Sequence, residues 1–320
     1  MRKSLLATEQ KKNRKKHWWL WGTLVVLLCF IAYGTVTAIN IFNSTQATYQ
    51  PLPDRPKSEK REVKVSIKNY DPISILLLGV DQRPGDPGRT DTIMVATINP
   101  EKENMILFSI PRDTYVDITG EGNYDKINHA YAFGGLELTI NAVENFLDIP
   151  IDYYAEINME GFKDVIDTIG GVEVDVPFSF ESSGVAFTEG PMFMDSKMAM
   201  AYVQMRKKDP RGDFGRNDRQ QQVVKAILQQ SLTVSNFGKL DDVIKSVGSN
   251  LKTNVAPSDY FSLQEIYRKI DTNEIESFQL EGEGTLLDGI YYYVIDDEEK
   301  TRVSQTLKEH LNIDSQMTQR

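Results

Sequence analysis

The chain has 320 residues, 40% of them hydrophobic, and a formal net charge of −10 at pH 7. This length and composition favour one main globular domain, and the acidic balance excludes nucleic-acid binding through a uniformly basic surface. One cysteine and three histidines exclude disulfides and histidine-rich metal sites, so any metal must be bound mostly by oxygen, which favours Mg²⁺, Mn²⁺ or Ca²⁺.

The N-terminal region predicts a membrane anchor. Residues 1–17 contain seven Lys or Arg and one Glu, and residues 18–42 form an apolar run of 25 residues, enough to span about 30 Å of hydrocarbon as a helix. The basic residues and the tryptophans that follow them predict a cytoplasmic N-terminus and an extracytoplasmic body. A cleavable signal peptide is the alternative, although the apolar part of such signals is shorter, roughly 7–15 residues.

The rest of the chain predicts a stalk and a globular body. Residues 43–70 are polar and contain prolines, which is typical of a stalk. In residues 71–312, apolar runs typical of buried strands alternate with helical periodicity, beginning with "ISILLLGV" and "TIMVATIN". This alternation predicts a layered α/β sandwich with a buried mixed sheet. Residues 313–320 predict a frayed tail.

The loop after the first strand carries a cluster of charges. Asp81, Arg83, Arg89 and Asp91 lie in residues 79–92, at the carboxyl end of a buried strand, where open α/β sheets bind their ligands. Two carboxylates at the ends of this loop can converge on one hard cation, with Arg89 between them directed at an anion. A solvated loop whose aspartates cap turns is the alternative.

Two further charged stretches follow a third apolar run, "MILFSI". Arg112 and Asp113 come directly after it, and the planar guanidinium matches two phosphate oxygens at once; a surface ion pair is the alternative. Lys126 and His129 precede a helix. His129 could act as a general base, but a structural hydrogen-bonding role is favoured for a lone histidine at a helix start.

The most basic stretch of the body is "RKKDPRGDFGRNDRQQQ", residues 206–222, with six Lys or Arg. It leads into a helix, whose free N–H groups and dipole favour anions. With Arg206, Arg216 and Arg219 added, the stretch predicts a phosphate-binding site, against the alternative of a solvated mixed-charge loop. No nucleotide-binding G-x-x-x-x-G-K-[ST] loop is present, so a phosphate carried by a lipid fits the anchored body better.

These stretches together resemble a known family. "LLLGVDQR", "GRTDTIMV", "SIPRDT", "KINHAYAFGG", "IPIDYYAEIN", "GFKDVIDTIGGVEVDVP" and the basic stretch occur in this order over residues 73–230, as in the LytR-CpsA-Psr family. The resemblance implies an α/β/α sandwich behind one transmembrane helix. It also implies transfer of a glycopolymer, such as wall teichoic acid or capsular polysaccharide, from undecaprenyl pyrophosphate to the 6-hydroxyl of N-acetylmuramic acid in peptidoglycan.

The resemblance also implies roles for individual residues. Asp81 and Asp91 match Mg²⁺-binding carboxylates, with Mn²⁺ as a substitute. Pyrophosphate-binding arginines are matched by Arg89, Arg112, Arg206 and Arg216, and further polar residues of the pocket by Asp213 and Gln220. Family members commonly have Arg-x-Arg where this chain has Gln204-Met205-Arg206, which puts that share of pyrophosphate binding in doubt, although Gln204 can still donate a neutral hydrogen bond. Arg83 and Arg219 complete the candidate substrate-binding residues.

The implied reaction needs no protein nucleophile, because the acceptor hydroxyl can attack phosphorus itself. Asp91 or Asp113 is the candidate general base. The expected partners are a polyprenyl pyrophosphate-linked glycopolymer, peptidoglycan and the membrane, and no nucleic acid. Two alternatives remain open: a non-catalytic membrane regulator that senses the state of the envelope, and a polyprenyl pyrophosphate phosphatase that uses water as the acceptor.

Overall fold

A computed structural model of the chain describes residues 48–52, 55–81, 88–231, 240–272 and 275–313. The predicted basic tail, membrane-spanning segment 18–42, start of the stalk and end of the frayed tail lie outside these residues. Within the described ranges, no helix is both long and apolar enough to cross a bilayer. The domain boundaries drawn from the sequence therefore stay predictions.

The described chain forms strands and helices in mixed order. The strands are β1 (Ile73–Asp81), β2 (Arg89–Asn99), β3 (Asn104–Ser109), β4 (Tyr115–Asp117), β5 (Tyr124–Lys126), β6 (Tyr153–Asn158), β7 (Val172–Val176), β8 (Phe180–Ser182), β9 (Val185–Phe187), β10 (Gly190–Met194), β11 (Leu251–Thr253), β12 (Glu276–Gln279), β13 (Glu283–Leu287) and β14 (Ile290–Val294). The helices are α1 (His129–Leu147), α2 (Met159–Ile169), α3 (Ser196–Gln204), α4 (Asp213–Ser231), α5 (Leu240–Val247), α6 (Tyr260–Lys269) and α7 (Asp297–His310).

A six-stranded sheet forms the centre, in the order β11–β6–β1–β2–β3–β12. β2 pairs antiparallel with β1 and β3, whereas β6 runs parallel to β1 and β12 parallel to β3. Parallel neighbours require crossover connections, which the intervening helices provide. The sheet is therefore mixed, as the sequence predicted.

Helices cover both faces of this sheet because successive strand residues point to opposite sides. Leu76 and Leu78 of β1 pack in one core with residues of α1 and α7. Ile73 and Leu77 pack in another with residues of α4 and α6. The predicted layered α/β sandwich, with helices on either side of the sheet, is confirmed.

A third apolar cluster holds the basic stretch in place. Residues of α2, α3 and β7–β10 pack against Val223 and Ala226 of α4. The ring of Phe187 packs at a tilt against that of Tyr202, with 5.4 Å between ring centroids. This cluster fixes the end of α3 and one side of α4, and hence the loop 205–212 between them.

The described part of the predicted stalk lies against the body. The Ser58 hydroxyl donates to Glu144 of α1 at 2.6 Å, and Arg55 pairs with the same carboxylate. Arg61 pairs with Asp152 at 2.9 Å. Residues 55–61 are therefore bonded to the domain and do not act as a free spacer. The sequence did not predict these contacts, because the charged partners lie more than 80 positions away in the chain.

Candidate functional site

Three sheet strands bring the predicted charges to one end of the molecule. β1 ends at Asp81, which pairs with Arg89 at the start of β2. β3 ends nearby, and the N–H of Ile110 donates to the carbonyl of Ile93 at 2.9 Å. A cavity of about 470 Å³ opens at this end, lined by Asp81, Arg89, Asp91, Arg112, Asp113, Lys126, Asn128 and His129.

A β-bulge positions Asp91. Gly79 pairs with Thr92 and Val80 with Thr90, so Asp91 is the extra residue on β2. Bulges redirect side chains and are frequent beside active sites. Gly79 is needed here, because a Cβ on it would lie 2.9 Å from the Thr92 Cβ.

Arg112 links the two parts of the site. Its Nη1 lies 2.5 Å from the Asp91 carboxylate, and its Nε lies 3.4 Å from Asp213 at the start of α4. Burial opposes the charge of Arg112, but the hydrogen bond that it donates to Asp91 and the charges of Asp213, Asp91 and Asp113 raise its pKa above the ordinary value. Arg112 is thus held as a cation at the boundary between cavity and basic loop.

The basic stretch supplies two more guanidinium groups around Asp213. Arg206 Nε lies 2.6 Å from one carboxylate oxygen of Asp213, and Arg216 Nη2 lies 3.1 Å from the other. Arg206 is half exposed, whereas Arg216 is buried. One carboxylate therefore contacts three arginines, Arg112 included.

The buried Nε donors of Arg112 and Arg216 make no hydrogen bond with any described residue. Although the Nε of Arg112 lies 3.4 Å from Asp213, the contact does not have hydrogen-bond geometry. Burial lowers the pKa of Arg216, and the neighbouring charges of Arg112 and Arg206 act in the same direction, against Asp213. Unsatisfied buried donors are costly, so the geometry favours an anion with several oxygens.

Arg219 has a different position from the one predicted. Its side chain is 1% exposed and pairs with the buried Asp209, and its Nε donates to the carbonyl of Tyr202 at 3.2 Å. Asp209 also packs so closely on Gly215 that a Cβ there would overlap it. Arg219 therefore holds the basic loop in shape, because its guanidinium points into the protein and not into the cavity.

The remaining predicted substrate-binding residues are less central. Gln204 is exposed at the end of α3, with its amide 3.7 Å from the Met159 sulfur, and Gln220 is partly buried on α4. Neither belongs to the described residues that line the cavity. Arg83 lies outside the described residues.

Sequence reasoning missed Asn128. It is 6% exposed, lines the cavity, and its N–H donates to the backbone carbonyl of Arg112 at 3.2 Å. Its side-chain oxygen has no partner within the described part of the chain. Its place in the same short motif as Lys126 and His129 was the available signal. Lys126 pairs with Asp113 at 2.7 Å, and His129 with Asp125 at 2.8 Å, in line with a structural role.

The carboxylates of the cavity fit Mg²⁺ better than a metal that needs a complete protein cage. Asp81 and Asp91 line the same cavity, and the described residues contain no group of three or more His, Cys, Asp or Glu that could hold a metal. Mg²⁺ is commonly bound by one or two carboxylates together with substrate phosphates. The donor set is thus adequate only in the presence of a phosphorylated substrate.

Comparison with known proteins places these features in a family context. The LytR_cpsA_psr family model matches residues 35–309. The polyisoprenyl-teichoic acid–peptidoglycan teichoic acid transferase TagU of Bacillus licheniformis is 41% identical over 309 residues, 96% of this chain and 100% of that protein.

Solved structures show the same fold. The crystal structure of B. subtilis TagV superimposes with a TM-score of 0.70 at 39% identity, covering 77% of this chain and 99% of that one. The LytR-CPS2A-psr family protein YwtF (TagT), solved with bound octaprenyl pyrophosphate lipid, gives a TM-score of 0.67 at 30% identity and covers 83% of this chain and 100% of that one.

Proposed function

Because the chain belongs to the LytR-CpsA-Psr family, as its sequence motifs indicated, we propose that it is a glycopolymer phosphotransferase. It transfers an anionic polymer of the wall teichoic acid or capsular polysaccharide type from undecaprenyl pyrophosphate to the N-acetylmuramic acid 6-hydroxyl of peptidoglycan. The names of its relatives and the pyrophosphate lipid bound to YwtF support this reaction. The observation that carries it is the pair of buried Nε donors on Arg112 and Arg216 that make no hydrogen bond with any described residue.

The reaction breaks the phosphoanhydride bond of the carrier pyrophosphate and forms a phosphate ester to the acceptor. The acceptor hydroxyl oxygen attacks the phosphorus that carries the polymer, and the bond from that phosphorus to the bridging oxygen breaks. Undecaprenyl phosphate leaves with the bridging oxygen, and the hydroxyl proton passes to a base. Negative charge grows on the bridging and equatorial oxygens, where pre-placed cations stabilise it most.

The arginines of the site are placed to supply that stabilisation. Arg112, Arg206 and Arg216 surround one point through their contacts with Asp213, and Arg89 lines the adjoining cavity. A diphosphate that displaces Asp213 from part of these contacts gains charge-assisted hydrogen bonds. The cluster therefore binds the carrier pyrophosphate and favours its charged transition state.

Asp113 is the better placed of the two candidate bases. It lines the cavity and pairs with Lys126 at 2.7 Å. Asp91 and Asp81 would instead hold Mg²⁺, which when bound neutralises charge on phosphate oxygens. In this arrangement Asp113 is the base and Asp81 and Asp91 are the metal ligands, and all three line one cavity.

We also propose that the protein is a single-pass membrane protein of type II, with residues 1–17 in the cytoplasm and the catalytic body outside. The apolar run 18–42 and the lipid-linked substrate support this location. The acidic body gives nucleic acid no binding surface.

A transfer assay with the full-length chain in lipid nanodiscs tests the function. The substrates are an undecaprenyl pyrophosphate-linked polymer with a labelled sugar and a peptidoglycan oligomer. We expect label to become attached to the oligomer with release of undecaprenyl phosphate, dependent on Mg²⁺ and blocked by EDTA. Release of free polymer phosphate instead would indicate a phosphatase, and no turnover would favour the regulator.

A further inference from the structure

A second groove lies beside the catalytic cavity. It has a volume of about 610 Å³ and runs between α4 and the segment from β12 to β14. Phe214 and Tyr293 are among its lining residues, with 4.9 Å between their ring centroids. Phe214 directly follows Asp213, and the N–H of Tyr293 donates to the carbonyl of Asp113 at 2.9 Å. The groove therefore ends against two residues of the catalytic site.

The polar side chains of this groove are fixed by bonds within the protein. The Gln279 amide donates to Asp218 at 2.8 Å, and the Gln222 carbonyl oxygen accepts from the Tyr202 hydroxyl at 2.6 Å. The Gln221 amide donates to the carbonyl of Phe278 at 2.7 Å. Amides and carboxylates retain further hydrogen-bonding positions after one bond is made, so these groups present a rigid array of donors and acceptors.

This chemistry selects the type of ligand. Sugar hydroxyls and acetamido groups both donate and accept hydrogen bonds, and sugar rings pack on aromatic faces such as that of Phe214, which is partly exposed. A hydrocarbon tail would leave the amides and carboxylates without partners, which is costly. Asp218 and Glu281 outnumber Lys225 among the charged lining residues, which disfavours an anionic polymer.

We propose that this groove binds the uncharged glycan backbone of the acceptor peptidoglycan and guides its 6-hydroxyl to the catalytic cavity, an inference that rests on the proposed transfer reaction. The anionic donor is drawn to the arginine cluster, whereas the acceptor approaches along α4. The two substrates thus meet at Asp113 and Asp213 from different sides.

Ser277→Trp tests the groove by obstruction. Ser277 is an exposed residue of the edge strand β12 and lines the groove. Glu276→Trp is the matched control, because adjacent strand residues point to opposite faces and Glu276 is exposed outside the lining. Both are compared with the unmodified full-length chain in nanodiscs, with an uncrosslinked peptidoglycan oligomer as acceptor.

We expect Ser277→Trp to raise the KM for the oligomer about tenfold and to leave the KM for the lipid-linked donor unchanged. This result would show that only acceptor binding is lost. Glu276→Trp should change neither. Asp218→Asn is the second groove variant, for use if Ser277→Trp does not fold. Its amide oxygen can still accept from Gln279, and we expect it to raise the KM for the oligomer about threefold. Unchanged oligomer KM in both groove variants, or a raised donor KM, would overturn the proposal. An unmodified chain without transfer activity would instead refute the proposed reaction.

Discussion

Arg216 and Arg219 lie three residues apart on α4 and are both buried, yet their surroundings differ. Arg219 has acceptors from the protein: the Asp209 carboxylate and the carbonyls of Tyr202 and Met205. Arg216 has Asp213, and its Nε has no acceptor in the described ranges. Burial therefore does not separate a structural arginine from a ligand-binding one. The distinguishing property is whether the fold itself satisfies the guanidinium.

The largest effect on stability is expected at the structural arginine. Arg219→Met leaves the Asp209 carboxylate buried without its cation, and breaking a buried pair in this way costs about 3–5 kcal/mol. Urea unfolding of the full-length chain in detergent measures this free energy. The double variant Asp209→Leu/Arg219→Met removes both charges and should recover most of the loss. Normal stability of Arg219→Met would contradict the structural role.

The largest effect on catalysis is expected at Arg112. Arg112→Ala removes the cation that connects Asp91 with Asp213, and loss of one such transition-state contact lowers kcat by about 10²–10³. The unfolding free energy should change less than in Arg219→Met, because the side chains of Arg112 and Asp91 keep 19% and 40% of their exposure to solvent. The transfer assay under saturating donor measures kcat.

Arg112→Lys is the matched control, since it keeps the charge but loses the planar fork. Its kcat should lie between those of Arg112→Ala and the unmodified chain. Full activity in Arg112→Ala would remove Arg112 from the site and weaken the contrast between Arg216 and Arg219.

Much of this contrast could not be predicted from the sequence. Asp81 ends one buried strand, Asp91 lies at the start of the next, and Arg112 follows a third. Because the ends of neighbouring strands meet at one edge of the sheet, the convergence of these charges was predictable. Arg216 and Arg219 carry the same charge in one motif, and one helical turn separates them. Which of the two points inward depends on Asp209, whose burial against Gly215 is a tertiary feature.

The fold was predictable to a similar extent. Long apolar runs such as β1 and β2 mark buried strands by composition alone. β12 is a four-residue edge strand with two exposed residues, and the hairpin β13–β14 has mostly exposed residues, so neither has the pattern of a core strand. These elements form one wall of the proposed glycan groove, which is why the groove had no signal in the sequence.

The buried side chain of His310 makes the stability of the chain depend on pH. His310 is 4% exposed, and burial, with a smaller contribution from Lys102, lowers its pKa to about 4. Above pH 6.5 it is neutral whether the chain is folded or not. As the pH falls from about 6.5 to 4, the unfolded chain binds a proton that the folded chain does not, so stability falls by up to about 3 kcal/mol.

His310→Gln removes this titration. Between pH 6.5 and 4, the unfolding free energy of this variant should depend on pH less steeply than that of the unmodified chain in the same urea series. The difference in slope should correspond to about one proton. Equal slopes would show that His310 is protonated in the folded state, despite its contacts with Thr97 and Asn104 at 2.8 and 2.6 Å.

The smallest effect is expected at Arg211, the third arginine in this part of the basic stretch. Its side chain is 53% exposed and lies 2.5 Å from Asp218, and exposed pairs contribute only about 0–1 kcal/mol. Arg211→Ala should therefore leave the unfolding free energy within about 1 kcal/mol and kcat close to normal, whereas Arg216→Ala in the same transfer assay should lose turnover. A large loss of kcat in Arg211→Ala would mean that solvent-exposed charge of the motif contributes to catalysis, and that the fold's satisfaction of each guanidinium does not decide its role.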